Sequence, residues 1–150
     1  MFGVRSRGPG DAALITGVTL APGVASGQRL LLPEPLSFWG GFDPVRGVII
    51  DRWHPCVGQC VAGRVMLMPG GRGSSSGSAS LAESLRRGVG PAAILLLRRD
   101  PIVIVGALVA AELYALQCPV VLVERWDALA AARWLEIRAD GDGAEIDAHD

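Results

Sequence analysis

The stretch "AGRVMLMPGGRGSSSGSASLAESLRRG", residues 62–88, decides how this chain is read. It opens with residues 62–68, a strand-length segment that ends in the apolar run Val65–Met68 and reads as a buried strand. It ends with Leu81 and Leu85 four apart, a spacing that Val89 continues just beyond it, and Glu83, Arg86 and Arg87 on other faces, which predicts a helix over 78–88. Ser78 is the expected N-cap, and Gly88 or Gly90 the expected stop. Between strand and helix, glycines and serines have the composition of a flexible linker. A linker separates two domains, however, and 150 residues suit one. A loop in this position instead turns N–H groups and hydroxyls toward the positive end of a helix dipole. Such a place favours an anion or a developing negative charge.

Outward from this segment, further strands are expected at 27–32, 47–51, 92–97, 102–105, 120–123 and 134–139. Most are apolar runs bounded by Gly or Pro. Residues 107–117 predict a second helix, apolar on most sides, and 126–133 a short third one. No internal repeat is visible. A strand-rich first half followed by alternating strands and helices predicts one compact α/β or β/β/α domain with a mostly buried sheet. The closing "ADGDGAEIDAHD" reads as a polar tail with frayed last residues.

Composition narrows the function. Hydrophobic residues make up 50% and charged residues 19%, which suggests surface covered by a partner. The net charge of -1 gives no electrostatic case for nucleic acid or an anionic membrane. All 14 basic residues are arginines, scattered along the chain. Residues 101–111 are too short a run to span a bilayer. The first 17 residues lack a signal-peptide layout, so a cytoplasmic location is expected. Cys56, Cys60 and Cys118 form no disulfide framework, and the C-x3-C of "CVGQC" matches no strong zinc or iron–sulfur pattern. No metal ligand is assigned.

Chemistry concentrates in two places. The loop "GGRGSSSG" is not a Walker A motif, because no lysine follows, and with only His54 and His149 it has no obvious triad. The segment 33–55 combines Phe38, Trp39 and Phe42 with turn-forming glycines and with Ser37, Asp51 and His54. It reads either as a surface loop anchored by aromatics or as a loop lining a cleft or subunit interface.

Four blocks in order, "PLSFWGGFDPVRGVIIDRWHP" (35–55), "VAGRVMLMPGGRGSSSGS" (61–78), "GPAAILL" (90–96) and "VGALVAAEL" (105–113), resemble the small subunit, or swivel domain, of the aconitase X enzymes. The resemblance covers about residues 14–124, with 1–13 and 125–150 as extensions. It implies a swivelling β/β/α domain that works with an aconitase-like large subunit. That subunit carries an iron or iron–sulfur centre, and no cofactor is bound by this chain. It also implies dehydration of a small hydroxy acid, with the first serine of "GRGS", Ser74, as the catalytic proton acceptor. The "SSSGS" form of the loop and the His-Pro after "DRW" resemble the branch that dehydrates cis-3-hydroxy-L-proline to a pyrroline carboxylate. A second branch dehydrates mevalonate 5-phosphate.

Loss of water next to a carboxylate needs a base for the carbon-bound proton and a Lewis acid for the hydroxide. Serine serves as base only if its alkoxide is stabilised, here by the N–H groups of residues 74–78, the helix terminus and Arg72. Gly73 lets the backbone approach the substrate. Arg72 is also an expected substrate-binding residue, with Gly73, Ser75, Ser76 and Ser78; the three serines read equally well as substrate contacts and as turn or cap residues. A non-enzymatic module that binds an anion through the same loop is the competing class.

Overall fold

The computed structural model describes residues 2–6 and 13–150. Ten strands run in chain order: β1 (Gly3–Ser6), β2 (Ala13–Ala21), β3 (Gly23–Leu31), β4 (Phe42–Asp43), β5 (Val48–Ile49), β6 (Val65–Met68), β7 (Ala93–Leu96), β8 (Val120–Leu122), β9 (Trp134–Asp140) and β10 (Gly143–His149). Three helices, α1 (Gly77–Arg86), α2 (Pro101–Tyr114) and α3 (Asp127–Ala130), interrupt them. Of the N-terminal extension 1–13, residue 1 and residues 7–12 lie outside the described residues, while Gly3–Ser6 pairs with β2.

The main sheet closes on itself. Its order is β1-β2-β10-β9-β3-β6-β7-β8, and β2 also pairs with β8. One half is parallel, β3-β6-β7-β8. The other half is antiparallel. Strand residues alternate between two cores. Val65, Leu67, Ala93, Leu95 and Val121 point inward to Ile15, Leu135, Ile137 and Ile146. Met66, Met68, Ile94, Leu96 and Val120 point outward into a second core. There they meet Leu81 and Leu85 of α1, Val103, Ala107 and Ala110 of α2, and Phe38 and Phe42 from the 32–61 segment. Burial on both faces explains why β6 and β7 read as unbroken apolar runs.

Three expectations are corrected here. Residues 102–105 are not a strand but the first turns of α2. Asp100 caps that helix by accepting the N–H of Ile102 at 2.9 Å, and Pro101 takes its first position. The closing residues are no frayed tail. β10 lies between β2 and β9, with Ala144, Ile146 and Ala148 facing the barrel interior. Helix α1 starts one residue earlier than expected, and Ser78 does not cap it. Its hydroxyl instead donates to Ile102 O at 2.7 Å and joins the starts of the two helices.

No helix among the described residues is long and apolar enough to cross a membrane.

Candidate functional site

The parallel strands β6 and β7 end at Met68 and Leu96, and the loops that follow them meet at one end of the barrel. Crevices at the carboxyl ends of parallel strands are where α/β sheets place ligands. Residues 69–76 leave β6 and lead into α1, while 97–100 leave β7 and lead into α2. Both helix N-termini therefore point to this end.

The loop is held from below at several points. The carboxylate of Asp100, buried at 7% exposure, accepts the N–H of Gly71 as well as that of Ile102. Arg72 N donates to Leu36 O at 3.3 Å, and its guanidinium donates to Asp51 Oδ2 at 2.7 Å. Gly73 has φ +89°, and a Cβ there would stand 2.5 Å from Ser37 Oγ. Only glycine fits that position. Ser37 is itself fixed, since its hydroxyl donates to Trp39 O at 2.8 Å.

Ser74 stands exposed above this base, at the mouth of α1. Its Oγ accepts the N–H of Ser76 at 3.1 Å, and its carbonyl accepts that of Gly77 at 3.0 Å. A donor aimed at Oγ, backed by the positive end of a ten-residue helix, favours negative charge on that oxygen. The expected bundle of N–H groups 74–78 is thereby corrected. Those of Ser76, Gly77 and Ser78 are engaged within the loop. Those of Gly73, Ser74 and Ser75 have no acceptor among the described residues. They are the donors free to meet a bound anion.

Of the other residues singled out in the sequence, Ser37, Trp39, Asp51 and Arg72 come together with the loop. Trp39 walls an apolar surface pocket of about 540 Å³ against Ala79 and Ser80 on the first turn of α1. Ser75 and Ser76 are exposed beside Ser74, whereas Ser78 is turned toward Ile102. His54 does not join them. It is 2% exposed, its Nδ1 accepts the N–H of Cys56, and its proton therefore sits on Nε2, 3.0 Å from Glu34 O. Nδ1 thus holds the 54–56 turn and Nε2 ties that turn to the chain at Glu34.

Sequence reasoning missed Asp100. The signal was present as an Asp-Pro pair before an apolar helix, the pattern of an N-cap followed by N1.

No three His, Cys, Asp or Glu side chains among the described residues converge as a metal-holding group. Cys56 Sγ contacts Leu31 O at 3.5 Å, and burial pushes its thiol pKa up. Cys118 is fully buried, which pushes its thiol up to about 12.

The model of the aconitase X swivel domain matches residues 14–146. This chain belongs to that family. The match runs past residue 124, so β9 and most of β10 are part of the swivel domain and not an appendage to it. The swivel domain is 49% identical over 131 residues to a cis-3-hydroxy-L-proline dehydratase of Pseudomonas aeruginosa, covering 87% of this chain and 22% of that protein. It thus spans about a fifth of that relative's length. It is 42% identical over 91 residues to the phosphomevalonate dehydratase small subunit of Methanothermobacter thermautotrophicus, covering 61% of this chain and 70% of that one. Its fold matches the crystal structure of holo aconitase X from Thermococcus kodakaraensis with a TM-score of 0.76 at 28% identity, covering 95% of this chain and all of the matched chain.

Proposed function

We propose that this swivel domain supplies the proton-accepting half of an aconitase X-type dehydratase acting on a small hydroxy acid, with cis-3-hydroxy-L-proline as substrate. The observation that carries the reading is Ser74, an exposed hydroxyl at a helix N-terminus whose Oγ receives a backbone N–H. As an alkoxide, Ser74 takes the proton from the carbon next to the substrate carboxylate. The electron pair of that C–H bond forms the new double bond as hydroxide leaves the neighbouring carbon. Over the cycle, the proton and the hydroxide balance as one water. The free N–H groups of Gly73, Ser74 and Ser75 hold the substrate carboxylate, and Arg72 stays on Asp51 as part of the frame. The iron or iron–sulfur centre belongs, in this reading, to a separate aconitase-like large subunit in the cytoplasm. Swivelling of this domain toward that partner excludes water from the cleft. The choice of substrate rests on the 49% identity to the proline-derivative dehydratase. A second reading, mevalonate 5-phosphate, is favoured by the 42% identity to a phosphomevalonate dehydratase small subunit.

Co-expression with the aconitase-like large subunit and assay of both substrates tests the proposal. The complex should dehydrate cis-3-hydroxy-L-proline, and the isolated chain should not. Ser74→Ala should lower turnover by roughly 10²–10⁴-fold with little change in KM. A Ser74→Ala complex with normal turnover overturns the base assignment. Turnover of mevalonate 5-phosphate alone moves the substrate to the second reading. If this chain finds no such partner and no dehydration, the loop is an anion-binding module without chemistry.

A further inference from the structure

The carboxyl end of β6 carries the Ser74 loop, and its amino end opens on a different pocket. Arg29 from β3, Arg64 just before β6 and Arg133 just before β9 line a surface pocket of about 440 Å³ with the amide side chains of Gln28 and Gln59. No carboxylate among the described residues lines it. None of the three arginines is in an ion pair among the described residues, whereas Arg46, Arg72, Arg86, Arg87, Arg125 and Arg138 each face an acidic side chain.

Two of the guanidiniums are set in place by neutral groups. Arg29 Nε donates to Ala132 O at 2.6 Å, and Arg64 Nη2 donates to Arg29 O at 2.9 Å. Arg64 Nη1 also donates to Gln59 Oε1 at 3.2 Å and to Cys60 O at 3.5 Å. Each arginine has five N–H donors, so Arg29 and Arg133 keep most of theirs, and Arg64 keeps fewer. The unused donors include the Nη groups of Arg29 and the whole guanidinium of Arg133, while the Nε of Arg64 is buried without a partner. The positive charge is felt inside the pocket: Arg64 draws the Cys56 thiol pKa down against the burial that raises it. Three like charges held around one concavity repel one another, and a bound anion removes that repulsion.

We propose that this pocket binds a dianionic phosphate group, free or carried on a small phosphomonoester, between Arg29, Arg64 and Arg133. Guanidinium forks match the oxygen edges of a phosphate. A dianion offsets two of the three charges, where a single carboxylate offsets only one. Leu30, Leu31 and Pro55 on the wall give room for an apolar organic portion. The site lies at the opposite end of β6 from Ser74 and does not depend on the dehydration reading.

The test is a titration of the full chain, followed by backbone amide NMR, at constant ionic strength set with chloride. One arm uses inorganic phosphate and the other a simple alkyl phosphate. Saturable shifts are expected at residues 28–31, 59–64 and 133, with Kd below about 1 mM. The arm that saturates at the lower concentration identifies whether the free ion or the ester is the ligand. Arg133→Glu, an exposed site whose side chain has no partner, should leave the fold intact and weaken binding by roughly tenfold or more. Arg133→Lys should weaken it less. The proposal is overturned if neither arm saturates by about 10 mM. It is also overturned if chloride alone gives the same shifts, if the shifts are confined to residues 71–78, or if Arg133→Glu binds as tightly as the parent.

Discussion

Asp100 and Gly71 are joined by a hydrogen bond from the glycine N–H to one carboxylate oxygen, while the other oxygen caps α2 through Ile102. One buried side chain thus ties the loop that carries Ser74 to the start of a different helix. Ser78, donating to Ile102 O, makes the same tie from the far end of the loop. Ser74 lies between the two anchors.

The two functions of Asp100 are separable by substitution. Asparagine caps helices as well as aspartate but presents an NH₂ group where the second oxygen stood. Asp100→Asn should therefore keep α2 capped and lose the Gly71 bond. Asp100→Ala loses both and should be less stable than the Asn variant by about 1 kcal/mol. In the complex, both should slow turnover by about tenfold or more through misplacement of Ser74. Urea denaturation and steady-state kinetics read the two effects independently. Full turnover by Asp100→Asn means that the loop keeps its position without this bond.

Gly73→Ala should destabilise the domain by about 1–3 kcal/mol, because a positive φ becomes strained and the new methyl meets Ser37 Oγ. Adding Ser37→Ala removes the hydroxyl but not the φ strain. The double variant should thus recover only part of the loss in a denaturation midpoint. Complete recovery would place the whole penalty in the contact.

The three thiols should respond differently to an alkylating reagent in the native state. Cys60 is exposed and should react first, Cys56 more slowly, and Cys118 only after unfolding. The pKa of Cys118 is raised from 9.0 to about 12 in the fold. Stability that depends on its neutral form is fully present below pH 9 and is lost as the pH climbs through about 12. Changing Cys56 and Cys60 together to alanine should leave the iron content of the complex unaltered. Iron lost with them would make this chain a ligand donor.

Removal of residues 143–150 should unfold the domain, because β10 bridges β2 and β9 and its loss opens the barrel. The gentler Ile146→Ala should lower stability by about 2–5 kcal/mol, as for other fully buried aliphatic truncations. Circular dichroism and a thermal melt distinguish a barrel strand from a dispensable tail.

Much of this was legible in the sequence because it rests on local chemistry. The segments 62–68, 92–97 and 120–123 read as strands because the residues at their centres, such as Val65–Met68, are apolar toward both cores. The loop 69–78 read as a site because glycines and serines stand directly between a strand and a helix. Other features depended on partners far away in the chain. Residues 102–105 have the β-branched composition of a strand, yet the cap from Asp100 and packing against α1 make them a helix. β10 hides its apolar face in two alanines and one isoleucine. Only pairing with β2, more than 120 residues earlier, gives that alternation a core to face. His54 has the composition of an active-site residue, but its two nitrogens are consumed by Glu34 and Cys56. Residue types and spacing determined which groups are available for chemistry. Which of them remain free was decided by the closed barrel, because a hydrogen bond made inside the fold removes a group from the site.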